Sequence, residues 1–441
     1  MSLACYYALG GLNYKNGFVT SCPQQSDKLA ILDDKYLPSE VFNSKHFLQH
    51  RKDLMSDIWP KGCDMCMHVE NDKSGTSMRQ ELSCSTKHYN NDGTVSFEGL
   101  KTIELRFSHA CNMSCLHCSM VYSSGWLTKL KRYTPDDSDY KHKLLQLTGQ
   151  MHRDNDTDDL TISMSTERAL EIVDDLIKNF PNLERIDFAG GEVLYQKPFL
   201  PVLEALAEHP NAKNIQIVFH TNFNTDFDPV RLSNALSKFG GKITIMISVD
   251  AGPRIYPYFR QGNWEKLKSN MTAFREADNG KCELNIVCTT GTYQIMEIED
   301  AYTGFLTLDA NWINSSIIYT PDYLNPAIMM QHFSDEVILD IDNAIQRVLQ
   351  HEKSRKQNLD YSVKLHSYRP QPGNNHSWTD IYSAYESLKK TKQYITAHKT
   401  DPSHWDAFKA YITKTDKIWK QDFNKHIQNY KFVDGEIVRN V

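Results

Sequence analysis

The stretch from Arg106 to Trp126, RFSHACNMSCLHCSMVYSSGW, carries three cysteines, Cys111, Cys115 and Cys118, in a C-x-x-x-C-x-x-C spacing. A closed thiolate metal site takes four ligands. Three thiolates on one short loop can instead hold three irons of a [4Fe–4S] cube and leave the fourth iron open. An open coordination position is where a metal site takes a reactant. A second thiol set precedes the first: Cys5 and Cys22 bracket CYYALGGLNYKNGFVTSC, and WPKGCDMCMHVE places a C-x-x-C at Cys63 and Cys66. Four thiols close a site, and that signature serves zinc and an iron–sulfur cluster equally. Cys84 reads as a bystander, with a further ligand of that set as the alternative, while Cys282 and Cys288 share one strand face and read as core thiols.

The elements that must position the three-cysteine loop begin at about Lys101, where strand and helix patterns start to alternate. KTIELRFS is a buried strand ending at the loop, and TERALEIVDDLIKNFP is a helix with Thr166 as its N-cap. Further strands are expected in LERIDFAGG, NIQIVFHTN, KITIMISVD, CELNIVCTT and INSSIIYTP, with helices between them and Pro198 in the first turn of one. Such alternation implies α/β architecture, a parallel sheet with helical crossovers. In such sheets functional loops gather at the C-terminal strand ends. GGEV, HTNFN, SVDAGP and TTGTY follow successive strands there, as the cysteine loop follows the first.

The 441 residues suggest two or three domains. The N-terminal thiols occupy 1–85, the alternating core 100–325, and a charged, helical region 331–441. SYRPQPGNNHS interrupts that last region as a loop, and the polar segment 131–161 is a surface excursion. The net charge of −6 singles out no nucleic-acid surface. No apolar run approaches the ~18–20 residues of a membrane span, and MSLACYYALGG lacks the basic start and long apolar stretch of a signal peptide. A cytoplasmic protein is expected, in which clustered thiols bind metal or do chemistry rather than form disulfides.

The cysteine spacing, placed after the first strand of a six-fold alternation, resembles the radical S-adenosylmethionine (radical SAM) superfamily. The resemblance implies a partial (β/α)6 TIM-like barrel and a [4Fe–4S] cluster on Cys111, Cys115 and Cys118, whose open iron chelates S-adenosylmethionine. One-electron reduction, from a donor such as a flavodoxin or ferredoxin, would then release a 5′-deoxyadenosyl radical that takes hydrogen from a C–H bond. Gly190, Gly191 and Glu192 resemble the segment that receives the methionine ammonium, and Ser248 and Asp250 the residues that contact the ribose. Arg260 resembles an arginine that holds the methionine carboxylate, with Asn222 on the same rim. His117 stands where an aromatic commonly packs on adenine.

C-x11-G-x4-C followed by C-x-x-C, with Gly17 at a hairpin turn, is similar to the twitch domain, a relative of the SPASM domain. That resemblance implies an auxiliary cluster on Cys5, Cys22, Cys63 and Cys66, here ahead of the barrel rather than after it. The SxRQ tail and the RFSxxCNxxCxxC continuation extend the resemblance over nearly the whole chain. Relatives of this kind act on peptides, proteins, sugars and nucleotides. A peptide or protein side chain is the expected substrate, with a sugar-type or nucleotide dehydrogenation as the alternative. A non-catalytic iron–sulfur or zinc protein on the same fold is the rival from another class. His109 and His220 flank rim motifs, and Trp405, Phe408, Tyr411 and Trp419 recur at helical spacing as a packing face.

Overall fold

The computed structural model describes residues 3–15, 18–25, 30–31, 36–71, 77–118, 122–133, 163–357 and 379–440. Gly17, most of the 131–161 excursion and the SYRPQPGNNHS loop lie outside the described residues. The strands are β1 (Gly11–Lys15), β2 (Phe18–Thr20), β3 (Ala30–Ile31), β4 (Thr102–Arg106), β5 (Arg185–Ala189), β6 (Gln216–Thr221), β7 (Ile243–Ser248), β8 (Glu283–Thr290) and β9 (Trp312–Ile317). The six expected core strands are β4 to β9, and the fold is α/β with a mostly parallel sheet. Among the described residues no helix is long and apolar enough to cross a membrane.

The chain divides into two compact units. One comprises 1–110, 158–220 and 226–244, and the other comprises 111–157, 221–225 and 245–441. In the first, the strands run β3-β2-β1-β4-β5-β6. β1 and β2 form the antiparallel hairpin that Cys5 and Cys22 bracket, with Asn13 opposite Thr20 and Lys15 opposite Phe18. β1 then pairs in parallel with β4, Gly11 opposite Thr102 and Lys15 opposite Arg106. The thiol-bearing segment therefore extends the same sheet as the first core strand. β4–β5 and β5–β6 are parallel too.

The helix Thr166–Asn179 buries Ala169, Ile172, Val173 and Leu176, the i, i+3, i+4, i+7 stripe that its sequence writes. Its N-cap is Ser165, not Thr166: the Ser165 side chain accepts from the Arg168 amide at 3.2 Å. Thr166 is the first helical residue, one place inside the expected boundary.

In the second unit β8 and β9 are parallel, Asn285 opposite Trp312. The helix Thr379–Ala397 lies against β9, where Ser383 Oγ accepts from Ile313 N at 2.8 Å and Ser387 Oγ from Ser315 N at 3.2 Å. Helix hydroxyls thus satisfy strand amides, which blunts an edge. The expected C-terminal helices are Ser334–Gln357, Thr379–Ala397 and Ser403–Trp419. They are followed by a hairpin of β10 (Tyr430–Val433) and β11 (Glu436–Arg439). Its turn, Asp434-Gly435 with φ +52° and +81°, is the Asp-Gly signal for such a connection, which the helical reading passed over.

Candidate functional site

In the second unit several carbonyls of the three-cysteine loop accept hydrogen bonds from side chains around it. Ser123 Oγ donates to Met113 O at 2.6 Å, and Trp126 Nε1 donates to Cys115 O at 2.7 Å. Trp419 Nε1 donates to Ser114 O at 3.1 Å, and the Tyr411 hydroxyl donates to Leu116 O. Leu116 N in turn donates to Phe259 O at 2.8 Å. The two indoles pack edge to face, 4.3 Å between centroids. Four side-chain donors thus engage consecutive carbonyls of the loop, Met113 to Leu116, and fix its backbone. Cys115 is buried, while Cys111 and Cys118 are partly exposed.

The loop's Asn112 ties it to residues 222–224 of the same unit: Asn222 Nδ2 donates to Asn112 Oδ1 at 2.9 Å, and Asn112 Nδ2 donates to Asn224 O at 3.0 Å. Asn222 also accepts from Asn224 N at 2.7 Å. Its amide is therefore engaged in positioning the loop.

Asp250 and Arg260 form a buried pair, with the half-buried His117 beside them. Asp250 is only 1% exposed, sits at φ +51°, and pairs with Arg260. Its other oxygen accepts from Thr289 N at 2.6 Å. His117 Nε2 lies 3.5 Å from Asp250 Oδ2, and the ring stacks on Phe259 at 5.0 Å and 8°. Burial pushes the His117 imidazole below its ordinary value, with Asp250 opposing and Arg260 adding to the fall. Cys115 Sγ reaches Arg260 O at 3.5 Å, which links this group to the cysteine loop. Arg260 Nε and His117 Nδ1 are buried without a hydrogen-bond partner among the described residues. Buried orphans of this kind call for a ligand or water. A polar cofactor beside the loop fits them. Ser248, at the end of β7, is half-buried.

Gly190, Gly191 and Glu192 belong to the first unit, where they pack on the segment leading into the cysteines. Gly191 N donates to Ser108 O at 3.2 Å and Glu192 N to Ala110 O at 2.8 Å. Gly190 has φ +117°, and a Cβ on Gly191 would stand 2.2 Å from Ala110 O. The glycines are thus demanded by backbone approach to residues 108–110, and Ala110 directly precedes Cys111. Glu192 is 1% exposed and accepts from Leu194 N at 3.0 Å. Burial pushes His109 down to about 4 and also lowers His220.

The second thiol set converges. Cys5, Cys22, Cys63 and Cys66 line one cleft of the first unit together with His50 and Arg79. Cys84 is not part of that lining. Burial raises Cys5, and burial with the neighbouring thiols pushes Cys63 up to about 12. Such thiols resist ionising on their own, and a metal that holds them as thiolates reverses that penalty. Among the described residues no three His, Cys, Asp or Glu side chains stand at the spacing of a single metal ion. The fit therefore rests on donor chemistry, four thiols facing one cleft. His50, Trp126, Tyr411 and Trp419 are the site neighbours that spacing did not single out for these roles.

Residues 105–297 match the family model described as the radical SAM superfamily. Among solved structures the chain is similar to native anSMEcpe with bound AdoMet, at 18% identity over 60% of this chain and 68% of that one, with a TM-score of 0.34. For the same protein with AdoMet and a Kp18Cys peptide the identity is 18%, the coverage 60% and 68%, and the TM-score 0.33. With a Cp18Cys peptide the values are 14%, 74% and 88%, and 0.31. Superposition at such scores is partial, so the fold rests on the strands and the family match. No curated protein matches the sequence.

Proposed function

From a chain that carries a radical SAM domain over residues 105–297, we propose an enzyme that takes hydrogen from a C–H bond of a peptide or protein side chain, leaving it oxidised or cross-linked. The observation that carries the reading is the connected group in the second unit. There the cysteine loop, Asp250, Arg260 and His117 share contacts, and Arg260 Nε and His117 Nδ1 have no hydrogen-bond partner among the described residues. Cys111, Cys115 and Cys118 would hold the [4Fe–4S] cluster. Arg260, Asp250, Ser248 and His117 would orient S-adenosylmethionine, with Asn222 holding the loop. Gly190, Gly191 and Glu192, anchored on the residue before Cys111, would receive its ammonium. When bound, the cluster and S-adenosylmethionine supply one-electron cleavage of the sulfur–C5′ bond and a carbon radical. Cys5, Cys22, Cys63 and Cys66 would hold an auxiliary cluster that takes the electron left on the substrate. The peptide reading leans on the likeness of this N-terminal segment to twitch domains, and the enzyme would work in the cytoplasm, where thiols stay reduced.

Anaerobic purification with iron and sulfide counts, then dithionite and S-adenosylmethionine, tests this directly. About eight irons per chain are expected from two cubes, with 5′-deoxyadenosine as product, and Cys115→Ala should abolish that product. Fully loaded, reduced protein that makes none would overturn the assignment. Zinc in the N-terminal site would remove only the auxiliary cluster. A substrate peptide should lose a pair of hydrogens by mass spectrometry. Turnover of sugars but not peptides would replace the substrate reading.

A further inference from the structure

The N-terminal cleft holds a chain of hydrogen bonds that ends on one of its thiols. Ser21 N and Ser21 Oγ both donate to Gln25 Oε1, at 3.1 and 3.0 Å. A backbone N–H can only donate, so this contact fixes which end of the Gln25 amide faces Ser21. The opposite end, Nε2, faces His50 Nδ1 at 3.3 Å. An amide nitrogen is a donor, so His50 Nδ1 must accept, and the proton of the neutral ring sits on Nε2. His50 Nε2 lies 3.8 Å from Cys63 Sγ. Ser21, Gln25 and His50 are all nearly excluded from solvent. The order of donors therefore runs one way, toward the sulfur.

We infer that His50 donates a hydrogen bond to the Cys63 thiolate and raises the reduction potential of the group bound by Cys5, Cys22, Cys63 and Cys66. The inference rests on the reading that these cysteines hold an iron–sulfur cluster. A donor to a ligating sulfur offsets part of the negative charge that reduction adds. Hydrogen bonds to the sulfurs are one of the protein's levers on such potentials. Because Ser21, Gln25 and His50 are nearly excluded from solvent, the donor end of the chain sits at low local dielectric, which strengthens its hydrogen bonds. His50 is a positioning residue in this account. It leaves the four cysteine ligands in place and sets how readily the cluster accepts an electron.

The test is an EPR-monitored redox titration of full-length holoprotein, comparing wild type with His50→Leu and His50→Gln. The N-terminal cluster is the signal that S-adenosylmethionine leaves unchanged. His50→Leu should keep the wild-type iron content while its equilibrium constant for one-electron reduction falls about tenfold, a shift of ~59 mV to lower potential. His50→Gln, which keeps an N–H donor, should restore part of the difference. An unmoved potential in His50→Leu would overturn the inference and leave the cluster reading intact. So would loss of that cluster's iron in both variants, since the proposed role requires no ligand from His50. If wild type gives a single EPR signal, shifted by S-adenosylmethionine, the cluster reading itself fails.

Discussion

Asp250 holds a left-handed backbone at φ +51°, where an aspartate is tolerated better than a branched side chain. Its carboxylate is the counter-charge to a buried arginine. Asp250→Asn keeps the backbone preference and the shape but removes that charge. Breaking a buried pair in this way costs about 3–5 kcal/mol, readable as a fall in thermal unfolding midpoint, and an unchanged midpoint would refute it. Ser248→Ala, at a half-buried position, should stay within about 0.5 kcal/mol of wild type and instead raise the KM for S-adenosylmethionine. Gly191→Ala pushes a methyl against Ala110 O, 2.2 Å away, with no flexible side chain to yield. It should deplete iron from the three-cysteine site before it affects the N-terminal one. At this scale the sequence was legible wherever a motif has fixed spacing, as with the thiols and the glycine pair. It was silent on why the glycines are needed, because a close approach between segments some eighty residues apart leaves no local pattern.

The helix Ser403–Trp419 was readable as a helix with an aromatic face, since Trp405, Phe408, Tyr411 and Trp419 recur at helical spacing, and all four are buried. That two of its aromatics also donate to carbonyls of the cysteine loop was not readable, because an indole or phenol hydrogen bond has no sequence period. Ser114 O and Leu116 O receive these bonds. Trp419→Phe retains most of the buried ring and deletes the N–H, so it isolates the bond from the packing. Leaving a buried carbonyl unmet costs about 1–3 kcal/mol. The expected outcome is a lower unfolding midpoint, with iron lost from the three-cysteine loop and retained by the N-terminal site, measured by the EPR signal that S-adenosylmethionine shifts. Equal loss from both sites would mean that the helix stabilises the chain without positioning the loop. Ser383→Ala provides the contrast: it strips a partner from Ile313 N on β9 and should lower stability without disturbing either proposed iron site.

The N-terminal segment reads in sequence as a self-contained thiol unit, yet its stabilising contacts lie in distant parts of the chain. β1 takes its parallel partner from β4, five pairs long. Ser39 N and Oγ donate to the Asp175 carboxylate at 2.8 and 2.7 Å, on the helix Thr166–Asn179. Phe42, Phe97 and Phe180 pack as one aromatic cluster, with centroids 4.8 to 6.4 Å apart. Cysteine spacing identifies a shared chemistry, but the edge a hairpin joins is decided by contacts that close long loops, and no spacing reports them. A fragment of residues 1–100 keeps all four N-terminal cysteines and loses β4, Asp175 and Phe180. A two-stranded hairpin with so little core is marginal at best in water. Made alone, that fragment should show no cooperative unfolding by circular dichroism and hold no stable iron. Residues 101–441 without it should aggregate through the bared β4 edge on size exclusion. A fragment 1–100 that folds cooperatively and binds about four irons would show instead that the thiol set carries its own fold, with the pairing to β4 an attachment. The expected result makes auxiliary-site chemistry and the first core strand one cooperative structure, so damage to either should be felt in both.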